Sequence, residues 1–264
     1  VRHCPSRPER TTEHTVENTT EHPVENTVEH TAQTPGASAV PPTDRPTDVL
    51  VYTRTTGYRH ASIPAATEAL RELGREHGFA VEATEDPAAF TDASLAGRGA
   101  VVFLSTSGEV LAPDGRAALR RWVEGGGGFV GVHSAACTEY GWPYYGGLLG
   151  ARFAGHPDVQ PATVLVEDRD HPATAHLPAR WEWCDEWYDF RDNPRPGVRV
   201  LASVDESGYR GGAMGGDHPL VWCRESGAGR SFFTALGHAE EAYADPLFRR
   251  HLLGGLRWAA RAAH

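Results

Sequence analysis

The sequence contains no lysine: its 25 fixed positive charges are all arginines, set against 35 carboxylates for a net charge of −10. That balance supplies no basic face for a phosphate backbone, so a protein that does not bind nucleic acid is the expectation. Long apolar runs are missing as well. Nothing approaches the ~18 consecutive apolar residues that cross a bilayer, and the first thirty residues hold no apolar segment of the secretory-leader type. A soluble, cytoplasmic protein that does not engage membranes is the expectation. Cysteine is scarce, and Cys4, Cys137, Cys184 and Cys223 are scattered without a CxxC pair. Free thiols in a reducing compartment fit that usage better than a disulfide framework.

Residues 1–47 lack every aromatic residue and also Leu, Ile and Met. Such a segment cannot bury enough apolar surface to fold, and it reads as a disordered tail and linker. It carries an eight-residue repeat, Thr11–Asn18, Thr19–Asn26 and Thr27–Thr31, that spaces His14, His22 and His30 evenly. Those histidines could bind a metal weakly, or the tail could simply be solvated low-complexity chain. One domain is then expected over residues 48–264.

From Asp48 onward short apolar runs alternate with helical periodicity. Val49–Tyr52 reads as a strand, followed by a helix with Ser62 as N-cap, Ile63, Ala66, Leu70 and Leu73 on one face, and Gly78 at its end. Strands follow at Phe79–Ala83, Ala100–Leu104 and Phe129–Val132, with a helix opening at Pro113 and directing Leu119, Trp122 and Val123 inward. The alternation predicts a parallel sheet with helical crossovers. Beyond Gly150 the pattern turns β-rich, with segments at 162–166, 181–190, 198–204, 220–223 and 231–236. A last helix is signalled by Asp245 as cap and Pro246 at its first position.

Ligands of an open α/β sheet bind beyond the carboxyl ends of its strands. The first strand leads to Tyr58 and His60, the third to Glu109, and the fourth into Gly131-Val132-His133-Ser134-Ala135, an elbow with His133 at its apex. The last strand leads to His238. Imidazoles at three strand ends could form acid–base pairs or a divalent-metal site, although their spacing is no zinc signature. For His60 alone, a histidine bonded to its own loop is an equal reading. The segment Trp181–Phe190 holds five aromatics: it could be a sugar platform on which Asp185 and Glu186 bind hydroxyls, or a strand whose alternate aromatics are core. His171 and His218 sit in turn-like segments and read as structural.

Taken together, these motifs resemble a known family. Gly128 to Ala135, Trp142 and Tyr145, Leu148 to Phe153, His156-Pro157, Glu167-Asp168 with His171 to Thr174, Asp185 to Tyr188, Asp217 to Pro219, Thr234 to His238, and His251 to Gly255 with Trp258 are similar to the ThuA-like family associated with trehalose utilisation. The resemblance spans residues 48–261 and implies a flavodoxin-like, three-layer α/β sandwich of the class I glutamine amidotransferase-like superfamily, with a mostly parallel central sheet. It also implies a link to disaccharide, or keto-disaccharide, catabolism. Amidotransferases of that superfamily place a cysteine where His133 stands, which argues against glutaminase activity; Cys137, four residues on, reads as a packed side chain. The resulting expectation is a carbohydrate-catabolic protein, hydrolase or isomerase in class, with His133, His238, His60 and Glu109 catalytic and Tyr58, Trp142, Asp185, Glu186, Trp187 and Asp217 contacting the sugar. The alternative is a non-catalytic sugar-binding protein on the same scaffold. A small-molecule sugar is the expected partner, the cofactor is unassigned with a divalent metal open, and self-association is left open.

Overall fold

In a computed structural model the described residues are 48–262; the repeat tail with His14, His22 and His30, and Cys4, lie outside them. The parallel half is built from β1 (Val49–Tyr52), β2 (Val81–Thr84), β3 (Ala100–Leu104) and β4 (Gly128–Val132), interleaved with helices α1 (Ile63–His77), α2 (Asp92–Leu95) and α3 (Pro113–Glu124). Strands β1, β3 and β4 are buried along their whole length, which explains why they read as unbroken apolar runs rather than alternating ones. There follow α4 (Pro143–Leu149), β5 (Phe153–Gly155), β6 (Gln160–Val166), β7 (Arg180–Asp185), β8 (Asp189–Phe190), β9 (Arg199–Val204), β10 (Pro219–Ser226), β11 (Gly229–Thr234) and α5 (Pro246–Ala260).

Nine strands form one sheet in the order β2-β1-β3-β4-β11-β10-β9-β6-β7, and β5 pairs with β8. The first five strands are parallel and the rest alternate in direction. This is the expected α/β sandwich with a β-rich second half. The register makes the central ends flush: Leu104 lies opposite Val132, and Val132 opposite Thr234. Whatever follows β3, β4 and β11 therefore emerges at one level.

Helix α1 buries Ile63, Ala66, Leu70 and Leu73 as its periodicity demands and closes on Gly78 at φ 76°. Ser62 occupies the cap position but makes no capping bond; its hydroxyl turns instead to the Gly237 carbonyl. At α5 the capping expectation holds, with the Asp245 carboxylate accepting from the Leu247 and Phe248 amides. The β-rich segments differ more. The strand expected over 181–190 ends at Asp185, and β8 resumes only at Asp189. Cys137 and Cys223 are free thiols, whereas Cys184 on β7 is disulfide-bonded, so the free-thiol expectation fails at that position. Among the described residues no helix is long and apolar enough to cross a membrane.

Strand β7 is the far edge of the sheet, yet it returns to the centre because the antiparallel half curls over α5. Trp183 stacks on Phe248 at 5.5 Å, and Trp181 meets His251 at 6.4 Å. One turn beyond His251 on the same face of α5, a Cβ at Gly255 would fall 2.3 Å from the Phe232 ring of β11, so only glycine permits that approach. His251 sits between these layers, fully buried. Its Nδ1–H donates to the Ala173 carbonyl at 2.8 Å, which leaves Nε2 to accept from the Thr234 hydroxyl at 3.1 Å.

Burial pulls the His251 pKa down from 6.5 to about 4, against the effect of its bond to Ala173. Between those values the unfolded chain takes up a proton that the folded chain refuses, so stability is full above pH 6.5 and falls as the pH drops toward 4. The loss from this residue should be roughly 3 kcal/mol. Denaturant unfolding across that window should show the decline, and His251→Gln should flatten it while lowering stability at neutral pH. An equal slope in the variant would contradict the assignment.

Candidate active site

The flush strand ends decide the site. His133 follows Val132 directly, and its backbone turns with φ 52° into a 3-10 turn over His133–Cys137. A positive φ at a non-glycine residue is the strained elbow expected from the sequence. Because Thr234 is the cross-strand neighbour of Val132, the next carbonyl of β11's chain, Ala235, falls beside the imidazole, and His133 Nδ1–H donates to it at 2.7 Å. That bond fixes the tautomer. Nε2 is therefore the ring nitrogen that His133 turns to the cleft.

Around that nitrogen the other groups converge. Tyr188 donates its hydroxyl to His133 Nε2 at 2.9 Å, His60 Nε2 stands 3.1 Å away, and Glu186 Oε2 stands 3.4 Å away. The same carboxylate oxygen is 3.1 Å from His238 Nδ1 and 3.9 Å from His60 Nε2, while Glu186 Oε1 is 3.6 Å from His156 Nε2. His60 Nδ1 is held at 3.2 Å from the Ser134 hydroxyl. His60, His133 and Glu186 are buried, and His238 is half-buried at the mouth.

Electrostatics separates these groups. Burial would raise the Glu186 carboxyl, but His133, His238 and His60 outweigh it and hold Glu186 ionised, well below the usual carboxylate range. Burial, then the neighbouring His133, pulls His60 down to about 4. His238 is moved the other way: burial lowers it, and the Glu186 charge beside it more than compensates. One cluster thus contains a neutral imidazole, a fixed carboxylate and an imidazole biased toward its charged form.

Asp185 explains how Glu186 is delivered. Its Oδ2 accepts from Trp183 Nε1 at 2.9 Å and the Gly237 amide at 2.8 Å; Oδ1 accepts from the Glu186 amide at 2.9 Å and the His238 amide at 3.1 Å. A buried carboxylate with four N–H donors is a tether between the end of β7 and the end of β11. It has no capacity left for a sugar hydroxyl, the role expected of it. A second brace holds Tyr188, since His218 Nε2–H donates to its carbonyl at 2.8 Å while His218 Nδ1 lies 2.7 Å from Glu206 Oε1.

The remaining candidates are dispersed. Tyr58 is exposed at the mouth, its ring edge-on to His60 at 4.8 Å. Glu109 is half exposed, paired with Arg116 and accepting from the Gly141 amide at 3.1 Å. Trp142 packs on Tyr144 and Tyr145, Trp187 is wholly buried with its Nε1–H on the Gln160 carbonyl at 2.9 Å, and Asp217 clamps Arg195 and Asn193. Trp181 and Trp183 are core, and His171 is structural, accepting from the Ala173 amide at 3.1 Å. Cys137 is a packed thiol that burial pushes up to about 12, as expected of a non-nucleophile. Tyr188 and His156 were not among the candidates. Both lie in motifs already visible, but nothing in spacing places β5 and β8 over the elbow.

The family model described as "ThuA: Trehalose utilisation" matches residues 48–259. Among solved structures, a ThuA-like protein from Bacteroides uniformis is 25% identical with a TM-score of 0.68, covering 84% of this chain and 95% of its own. One from Parabacteroides merdae is 23% identical with a TM-score of 0.67, covering 81% and 90%. A cytoplasmic protein from Salmonella typhimurium shares the fold at 11% identity and a TM-score of 0.55, covering 81% and 98%. A comparison with curated proteins gives no match.

The tether generates a stability test. Asp185→Asn would set an amide N–H₂ against backbone donors, and unfolding should show a loss of about 2–3 kcal/mol, the scale of an unsatisfied buried donor. A change within about 0.5 kcal/mol, the usual scatter of neutral surface substitutions, would show that Asp185 is no tether.

Proposed function

The chain belongs to the ThuA, trehalose utilisation, family, and we propose that it acts on a disaccharide such as trehalose or its keto derivative, with proton transfer carried out by the cluster at the strand ends. The observation that carries this reading is the convergence of three imidazoles on one ionised carboxylate at the carboxyl ends of β1, β4 and β11. Sugar chemistry at an oxygen, or at a carbon beside a keto group, needs one group that takes a proton and another that returns it. His238, biased toward its charged form, is the donor nearest the mouth; His133, whose Nδ1–H is committed to the Ala235 carbonyl, offers Nε2 as the acceptor. Glu186 compensates the charge between them. Glutamine hydrolysis is disfavoured by the same geometry, because the elbow carries an imidazole and the nearby Cys137 thiol is held protonated.

Incubation with trehalose and its 3-keto derivative, followed by product analysis, tests the reading. His133→Gln and His238→Gln should retain the melting behaviour of a folded protein and lower turnover by roughly 10²–10⁴ each. Unchanged turnover in both variants would remove the cluster from the mechanism, and binding without any product from the parent protein would favour a sugar-binding role.

A further inference from the structure

The inward-facing polar atoms of the cluster do not pair off in hydrogen bonds. His133 Nε2 has one lone pair, yet the Tyr188 hydroxyl at 2.9 Å and His60 Nε2 at 3.1 Å both point at it. His238 Nδ1 is buried and has no hydrogen-bond partner, its 3.1 Å approach to Glu186 being poorly aimed for one. Each arrangement of protons leaves at least one nitrogen facing another polar atom without a bridge. A positive centre among them would satisfy all four groups at once.

We propose that His60, His133, Glu186 and His238 form a binding site for one divalent transition-metal ion, a three-imidazole, one-carboxylate cage suited to Zn²⁺. The four ligand atoms all lie within 4.8 Å of one another. Ligands held tetrahedrally at roughly 2.0–2.1 Å from zinc are separated by about 3.3 Å; four of the six separations here run from 3.1 to 3.9 Å, and the other two stay within 4.8 Å. Donor chemistry agrees, since imidazole with one carboxylate selects zinc-like ions over the oxygen-seeking Mg²⁺ and Ca²⁺. The outer shell agrees too. His133 Nδ1–H is on a backbone carbonyl and His60 Nδ1 is at the Ser134 hydroxyl, the partners that orient metal-bound imidazoles. By contrast, the second cluster, Asp189, Glu206 and His218, is occupied internally: Glu206 takes the Met214 and Gly215 amides, and His218 bridges Glu206 to Tyr188.

This inference uses the site of the proposed sugar reaction but not its substrate. With an ion in the cage, His60, His133 and His238 would be its ligands, so the proton transfer proposed above belongs to the metal-free cluster; Tyr188 and His156 flank the ligand set. Four protein ligands fill a tetrahedral shell, so the ion would act on a sugar oxygen as a Lewis acid only by taking it as a fifth ligand.

Full-length protein stripped with a chelator and titrated with Zn²⁺, Mn²⁺ and Co²⁺ by calorimetry, with metal content read by mass spectrometry, tests the site. One equivalent of Zn²⁺ should bind, and His238→Ala and Glu186→Gln should each weaken binding at least 10–100-fold while keeping a cooperative melt. A full-length control with His14, His22 and His30 replaced by Asn should bind like the parent protein. Zinc binding that survives both cluster substitutions, that disappears in the tail control, or that is absent from the parent protein would overturn the site. Absent zinc binding with intact sugar turnover would leave the proposed function standing, and zinc binding without sugar turnover would do the reverse.

Discussion

Everything at the cleft depends on one ionised carboxylate being held among imidazoles. Glu186 is buried, and burial alone would neutralise it; the three imidazoles reverse that outcome. An isolated buried carboxylate costs several kcal/mol, so its partners must be fixed before the charge is tolerable. The fixing is done by groups that never reach the cleft: the Ala235 carbonyl sets the His133 tautomer, Ser134 orients His60, and Asp185 ties the Glu186 and His238 amides together.

The fold supplies these partners by two devices. Parallel strands in flush register bring the residues after β4 and β11 to one level, so His133 and His238 converge without long loops. The antiparallel extension then curls over α5, through the Trp183–Phe248 and Trp181–His251 contacts, and carries the end of β7 back to the centre. Glu186 belongs to the sheet's far edge by topology and to its middle by curvature.

Much of the first device was legible in the sequence. Apolar runs marked β1, β3 and β4, the small residues around His133 marked an elbow, and the position of His60 and His238 after strands placed them at the cleft. The second device was not legible, because no local pattern encodes which antiparallel strand ends over which parallel one. Asp185 and Glu186 were consequently read as equals, whereas one is a tether and the other the centre of the cluster. The expectation that Trp187 contacts sugar met the opposite geometry: its indole is spent on Gln160 in the core. Tyr188, next along the chain, reaches His133 instead.

The central claim, that Glu186 is the shared partner of three imidazoles, is tested most directly by long-range proton–nitrogen NMR of the histidine side chains in the parent protein and in Glu186→Gln. The account predicts that the ring nitrogens of His60, His133 and His238 shift together in the variant, with His133 retaining its Nδ1 proton and with His251 unmoved. Shifts confined to one of the three, or none at all, would contradict it.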